Sequence, residues 1–146
     1  MKVKGNYTLS TNRSVIWDLL MDPEVLARIT PGISELEEES TDHFKAISNI
    51  KIGPVKASFE GALSLKDKVD QESLTVAIDQ KSKIGNVQAE IGITLAENDE
   101  GATEITYEGD AKLSGKLATM GQRIVGGVVS TMSKQFFKSL QREIES

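Results

Sequence analysis

Apolar and polar residues alternate from the start of the chain, with Val3, Gly5, Tyr7 and Leu9 on one side and Lys4, Asn6 and Thr8 on the other. A period of two is that of a strand with one buried face. The period then changes. Val15, Ile16, Trp17, Leu19 and Leu20 follow at helical spacing behind Thr11 or Asn12, either of which can cap a helix. Asp22-Pro23 restarts a second short helix, because Asp caps well and Pro suits the first helical position, and Thr30-Pro31-Gly32 ends it. From Ile33 to Leu113 the chain reads as six strands with turn signals between them and nothing helical in the interval.

The alternation is cleanest in three of those strands. Val55, Ala57, Phe59, Gly61, Leu63 and Leu65 share one face; Val87, Ala89, Ile91, Ile93 and Leu95 share another; Ile105, Tyr107, Gly109, Ala111 and Leu113 share a third. Lys56, Glu60, Glu90, Glu104, Glu108, Asp110 and Lys112 occupy the opposite faces, so one side of the sheet meets solvent. Short connections make neighbouring strands antiparallel. After Gly115 the period becomes helical again, with Leu117, Met120, Ile124, Val125, Val128, Val129, Met132, Phe136, Leu140 and Ile144 forming a broad apolar stripe. That helix should run about 27 residues, roughly 40 Å at the standard rise. A stripe of that length has to be covered by the sheet. The expected architecture is α+β: a seven-stranded curved antiparallel sheet wrapped around a long C-terminal helix, with two short helices between strands 1 and 2, in one domain over residues 1–146.

Composition narrows the function. The 146 residues, 38% of them hydrophobic, suffice for a single core. Seventeen Lys and Arg against 22 Asp and Glu leave a net charge of −5, which argues against nucleic acid as a general partner, since phosphate neutralisation needs a cationic surface. No cysteine is present, so disulfides, thiolate metal sites and cysteine nucleophiles are excluded, in keeping with a reducing compartment. The N-terminus lacks the apolar core of a secretory signal, and no run approaches the roughly 18 residues of a membrane span. A cytoplasmic protein is expected.

Little in the chain suggests catalysis. His43 is the single histidine, placed between Asp42 and Phe44 at a turn entering a strand, where a surface role outweighs that of a base. One histidine and no cysteine are too few for a soft metal site, and the run Glu35, Glu37, Glu38, Glu39 reads as a solvated strand end rather than a hard-cation site. Gly115 to Gly121 lacks the order of a phosphate loop. Neither enzyme activity, cofactor nor metal is expected.

Several segments together carry a family resemblance: Asp22-Pro23-Glu24-Val25-Leu26 followed by Pro31-Gly32; Lys51-Ile52-Gly53-Pro54-Val55-Lys56-Ala57 with Phe59 and Gly61; Gly115-Lys116-Leu117-Ala118 with Gly121 and Arg123; and Gln135-Phe136-Phe137. In this order they resemble the family of the carbon monoxide dehydrogenase G-subunit, within the helix-grip (SRPBCC) group that includes START lipid-transfer and birch-pollen-allergen-like domains. The resemblance implies a ligand-binding fold and an accessory role beside molybdenum-containing carbon monoxide dehydrogenases, with a lipid or quinone-like molecule as cargo. Many family members continue past the long helix into a membrane-attaching extension. The sequence here ends at Ser146, so the expectation is transient contact with the inner membrane face rather than permanent anchoring.

The inward faces also contain Gly5, Ala46, Ala57, Gly61, Ala89, Gly109 and Ala111, which leave space. Interiors pack densely, so either helix and core side chains such as Trp17, Phe136, Phe137, Met120 and Met132 fill that space or a ligand does. The candidate pocket residues are Trp17 and Phe44; Phe59, Gly61, Val76, Ile78, Ile91, Tyr107 and Gly109 from the strands; and Met120, Ile124, Val128 and Met132 from the helix. Gly121, Gly126 and Gly127 each cost about 1 kcal/mol in a helix interior. Close packing on the sheet, room for a ligand and a movable first turn all account for them.

Alternate connections of an antiparallel sheet lie at one end. Pro31-Gly32, Gly53-Pro54, Ile84-Gly85-Asn86 and Ser114-Gly115 should therefore gather at one rim, among Lys51, Lys56, Lys81, Lys83, Lys112, Lys116 and Arg123, with Ile52, Ile84 and Leu117 near the tips. The candidate pocket mouth is Pro31, Gly32, Gly53, Pro54, Ile84, Gly85, Gly115, Lys116, Gly121 and Arg123. Glu38, Glu39, Asp42, Asp67, Asp70, Glu72, Glu97, Asp99 and Glu100 gather at the opposite rim, diluted by Lys66 and Lys68. A basic rim suits brief contact with an anionic lipid surface or docking on an acidic protein, and lysines also blunt strand ends. Two functions follow: a carrier of a hydrophobic small molecule that serves a molybdenum hydroxylase, or a recruitment or maturation factor that acts through the rim and carries nothing.

Overall fold

In the computed structural model, which describes residues 1–146, the chain runs β1 (Lys2–Leu9), α1 (Arg13–Leu20), α2 (Pro23–Ile29), β2 (Ile33–Ser40), β3 (His43–Ile52), β4 (Val55–Val69), β5 (Ser73–Ser82), β6 (Gly85–Glu97), β7 (Thr103–Leu113) and α3 (Gly115–Glu145). The strands form one antiparallel sheet in the order β1-β7-β6-β5-β4-β3-β2. Its only departure from a meander is β1, which pairs with β7 and leaves α1 and α2 to bridge to the far edge at β2. Both small helices start where the sequence places them: the Asn12 carboxamide oxygen accepts from the Val15 N–H at 3.1 Å, and the Asp22 carboxylate accepts from the Glu24 N–H at 2.9 Å, with Pro23 next to the cap.

The register fixes what each strand shows to the core. One row across the sheet pairs Ala46 with Gly61, Gly61 with Gln80, Gln80 with Val87, and Val87 with Leu113. The next pairs Phe44 with Leu63, Leu63 with Ile78, Ile78 with Ala89, and Ala89 with Ala111. These rows form the concave face beneath α3.

α3 is longer than the spacing predicts, at 31 residues, and it is not continuous. Gly121 leaves helical geometry at φ 83°, ψ 161°, so a short first segment precedes the main helix. A residue with a Cβ resists a positive φ, and a glycine there is therefore a joint rather than the helix-interior penalty the sequence suggests.

The core is divided. Thirteen buried side chains form a large cluster at one end, where α1, α2 and the C-terminal half of α3 meet the sheet, with Leu9, Ile16, Ile105 and Leu140 almost wholly buried. Phe137 stacks on Tyr7 at 5.2 Å and on Tyr107 at 5.7 Å, which seats α3 on β1 and β7. Arg28 forms an ion pair with Glu143, tying α2 to α3, and the carboxylate raises the guanidinium pKa further above its ordinary value. At the other end only Ile52, Phe59 and Leu117 cluster. Ile78, Ala89, Ile91 and Met132 belong to neither cluster and stay partly accessible.

Candidate functional site

A groove of about 480 Å³ has Pro31, Gly32, Asn49, Ile50, Lys51 and Gly53 along its sheet side and Ile124, Gly127, Val128, Thr131, Met132 and Gln135 along its helix side. The sheet wall stands where β3 extends past the start of β2, whose first residue pairs with Ser48. Gly32 closes on this strand through its carbonyl, which accepts from the Asn49 N–H at 2.8 Å. On the other flank of α3 a smaller depression of about 130 Å³ is lined by Val3, Lys4, Tyr107, Gly126, Val129 and Ser130, among others.

The helix glycines acquire a reason here. Gly127 faces the larger groove and Gly126 the smaller, and a Cβ added at either would meet nothing within 4 Å. Close packing on the sheet is therefore not what requires them. Gly127→Ala is expected to stabilise the protein by about 1 kcal/mol through helix propensity, visible as a raised urea midpoint at unchanged slope. A loss of stability would show that the position is packed after all.

Three glycines of the sheet have a different explanation from the one the sequence suggests. A Cβ at Gly5 would run into the Tyr107 ring, one at Gly61 into the Asp79 carbonyl oxygen, and one at Gly109 into the Glu90 carbonyl and Ile91. These glycines admit close neighbours; they do not leave room. The open volume lies beside α3.

The candidate pocket residues fall into five places. Ile124, Val128 and Met132 line the groove, and Tyr107 lines the depression opposite. Trp17 and Phe44 lie in the large cluster with Val76 against it, whereas Phe59 lies in the small one with Met120 and Val128 against it. Gly61, Ile78, Ile91 and Gly109 lie on the concave face. Of the mouth residues, Pro31, Gly32 and Gly53 border the groove, with Pro54 exposed beside them. Ile84, Gly85 and Gly115 form a separate, tightly bonded corner, in which the Leu117 N–H donates to the Ile84 carbonyl at 3.0 Å and the Asn86 N–H to the Ser114 hydroxyl at 3.0 Å. Lys116, Gly121 and Arg123 are exposed around the joint of α3.

The basic rim forms as the turn order requires, and its charges are free. The five ion pairs of the structure involve Met1, Arg28, Lys45, Lys66 and Lys68, and none of them uses Lys51, Lys56, Lys81, Lys83, Lys112, Lys116 or Arg123. Lys51 and Lys56 even stand directly opposite each other on β3 and β4, an arrangement that repels. At the acidic rim and along the convex face, by contrast, Lys68 meets Asp42 and Lys66 meets Glu90, each at 2.8 Å, and the Glu90 carboxylate holds the Lys66 ammonium above its ordinary pKa. The apolar tips differ from expectation: Ile52 and Leu117 are buried in the small cluster, and the exposed apolar residue near this rim is Ile124, at 44%.

One polar residue on the concave face escaped the sequence reading. Gln80 follows Leu74, Val76 and Ile78 at every second position of β5 and is 8% exposed. Its Nε2 donates to the Ala62 carbonyl at a long 3.4 Å, and its Oε1 is buried with no partner. A glutamine that continues an apolar alternation was the available signal. His43 stands on the outer surface with its Nδ1 3.1 Å from the Ser64 hydroxyl, and no three His, Asp or Glu side chains come together as a metal site. No helix is long and apolar enough to cross a membrane.

Comparison with known proteins places this architecture. The model of the family described as the G-subunit of carbon monoxide dehydrogenase (CoxG) matches residues 5–145. No curated protein matches the chain. Among solved structures, a conserved protein from Geobacillus kaustophilus is 30% identical, with 99% of this chain and 95% of that one covered at a TM-score of 0.94. A START superfamily protein from Mycobacterium smegmatis shares 11% identity over 99% and 97% of the two chains at a TM-score of 0.73. The Zhui aromatase/cyclase from a Streptomyces species shares 14% over 99% and 93% at 0.71. The fold thus occurs in a START protein and in an enzyme, and fold alone does not choose between binding and catalysis.

Proposed function

Because the chain belongs to the CoxG family, that of the carbon monoxide dehydrogenase G-subunit, we propose that it is a non-catalytic carrier that holds a hydrophobic small molecule between its sheet and α3 and presents it to a molybdenum-type carbon monoxide dehydrogenase. The observation that carries this reading is the divided core. Ile78, Ala89 and Ile91 on the sheet and Met132 on the helix are sealed into neither cluster. Burying an aliphatic side chain is worth about 1.5–3 kcal/mol, so an apolar guest that completes this core is stabilised by contacts the free protein leaves unmade. The groove beside it is large enough to admit a guest of a few hundred Å³, within the usual range of small-molecule sites. The groups around the groove are aliphatic chains, amides, a hydroxyl and one ammonium, a set suited to holding a molecule rather than converting it.

Solvent extraction of protein purified without detergent or refolding, followed by mass spectrometry, is expected to yield an apolar molecule in near-stoichiometric amount. Repeatedly empty, folded protein overturns the carrier reading.

The unpaired cations of the rim favour a second reading, in which the protein recruits its partner or touches an anionic membrane through Lys51, Lys83 and Lys116 and carries nothing. The two readings separate on cargo: recruitment alone predicts partner binding by protein that never yields a guest.

A further inference from the structure

We infer that Gln80 reads a hydrogen-bond donor, an O–H or N–H, on the guest, so that the cargo is an apolar molecule with a donor-bearing polar end rather than one that only accepts; this rests on the carrier reading above. Gln80 stands on the concave face, beyond Val76 and Ile78 and beside Val87, where every neighbour in its row is apolar. Only the NH₂ end of its amide can donate to the Ala62 carbonyl, which fixes the oxygen as the free end. That oxygen is buried and unpaired, the one such side-chain atom in the molecule. A buried acceptor without a donor is destabilising, and a methionine of similar shape would remove the cost. Retaining an amide here therefore weakens the protein unless something pairs with it.

A partly accessible neighbour lies beside Gln80: Ile78, two positions earlier on the same face of β5. Between Gln80 and the groove side of the sheet stand Gly61 and Ala46, the two smallest side chains the row could carry. Gly61 cannot be larger, because its backbone lies too close to Asp79. The row itself carries nothing longer than a methyl group between Gln80 and β3, but Ala46 is 4% exposed and the amide oxygen is buried, so a guest reaches that oxygen only by displacing what covers it. An apolar body lying along Ile78 and Ile91 would bring a terminal hydroxyl to the amide oxygen, and the long bond from Nε2 to Ala62 lets the amide turn to meet it.

The test uses two probes that differ by one donor, 1-naphthol and 1-methoxynaphthalene. Methylation makes the second more apolar, so burial alone favours the ether, and a preference for naphthol requires an acceptor in the site. Titration calorimetry on the intact protein is expected to show naphthol binding about tenfold more tightly, a difference of about 1.4 kcal/mol. In Gln80→Met and Gln80→Leu that preference should fall to about twofold or reverse, while the melting temperature rises. If the variants melt higher but keep the preference, Gln80 is only a buried polar residue satisfied by water, and the assignment is overturned. Equal binding of both probes by the unaltered protein overturns it too, whatever the variants do, and leaves the carrier reading standing. If neither probe binds, the assignment is overturned, while the carrier reading stands or falls on the extraction experiment.

Discussion

Phe137→Ala should destabilise the protein by about 3–5 kcal/mol, the cost of deleting a buried aromatic and leaving its cavity. Phe137 is 7% exposed and touches three rings: it stacks on Tyr7 with the planes 11° apart, on Tyr107 at 28°, and meets Phe136 edge-on at 90°. Each such pair adds about 0.5–1.5 kcal/mol beyond burial, so the upper end of the range is expected. Against a total stability of about 5–15 kcal/mol for a typical protein, this loss removes from about a fifth to all of it. Phe136→Ala, at the partly exposed neighbour, should cost clearly less. Urea titrations of the two variants at constant slope give the comparison. Equal losses, or a Phe137 cost below about 1 kcal/mol, would mean that α3 is not seated on β1 and β7 through this residue.

Reversing Lys51, Lys83 and Lys116 to glutamate should lower binding to vesicles containing phosphatidylserine by at least about a hundredfold. A lysine near an anionic lipid surface is worth about 1 kcal/mol, so loss of three attractions alone accounts for about that factor, and three new repulsions add to it. All three side chains are exposed and unpaired, and reversal should leave stability within about 0.5 kcal/mol of the parent. The control reverses Lys45, Lys134 and Lys138, which changes net charge equally on other surfaces. Sedimentation with vesicles at low ionic strength, repeated near 0.5 M salt where the screening length is only a few ångströms, separates a local effect from a global one. Identical loss in both triple variants would show that net charge, not the rim, governs contact. Extracted cargo should be unchanged in the control, none of whose three residues lines the groove, whereas Lys51 does.

Much of the fold was legible because one property, alternation, repeats through strands long enough to show it. Residues 55–65, 87–95 and 105–113 each hold the period for nine or more positions, and Asp22-Pro23 marks a helix start by chemistry rather than by statistics. The rim followed from parity alone: once the neighbours are antiparallel, the turns at Gly32, Gly53, Gly85 and Gly115 have to share an end.

What stayed hidden depended on distance in space. Phe136 and Phe137 sit about 100° apart on a helix, and the periodicity favours Phe136; Tyr7 and Tyr107, far off in sequence, cover Phe137 instead. Gly121 reads like Gly126 and Gly127 in the sequence, yet one is a joint and the others face open grooves, a distinction made by φ and by neighbours. Gly5, Gly61 and Gly109 looked like vacancies because a missing side chain does not reveal whether another group has moved into its place. Gln80 was legible as a break in pattern, but its significance required the absence of a partner for its oxygen.

The unequal halves of the core also set where the molecule can breathe. Local opening draws first on the unit with the fewest buried apolar side chains, and here that unit is the small cluster of Ile52, Phe59 and Leu117, joined to the main helix at Gly121. The thirteen-residue cluster can hold the chain in its native topology while the other end loosens for an instant and reseals. If the protein carries a guest as proposed, exchange through such fluctuations would cost far less than unfolding and would take place at the end where the unpaired cations stand.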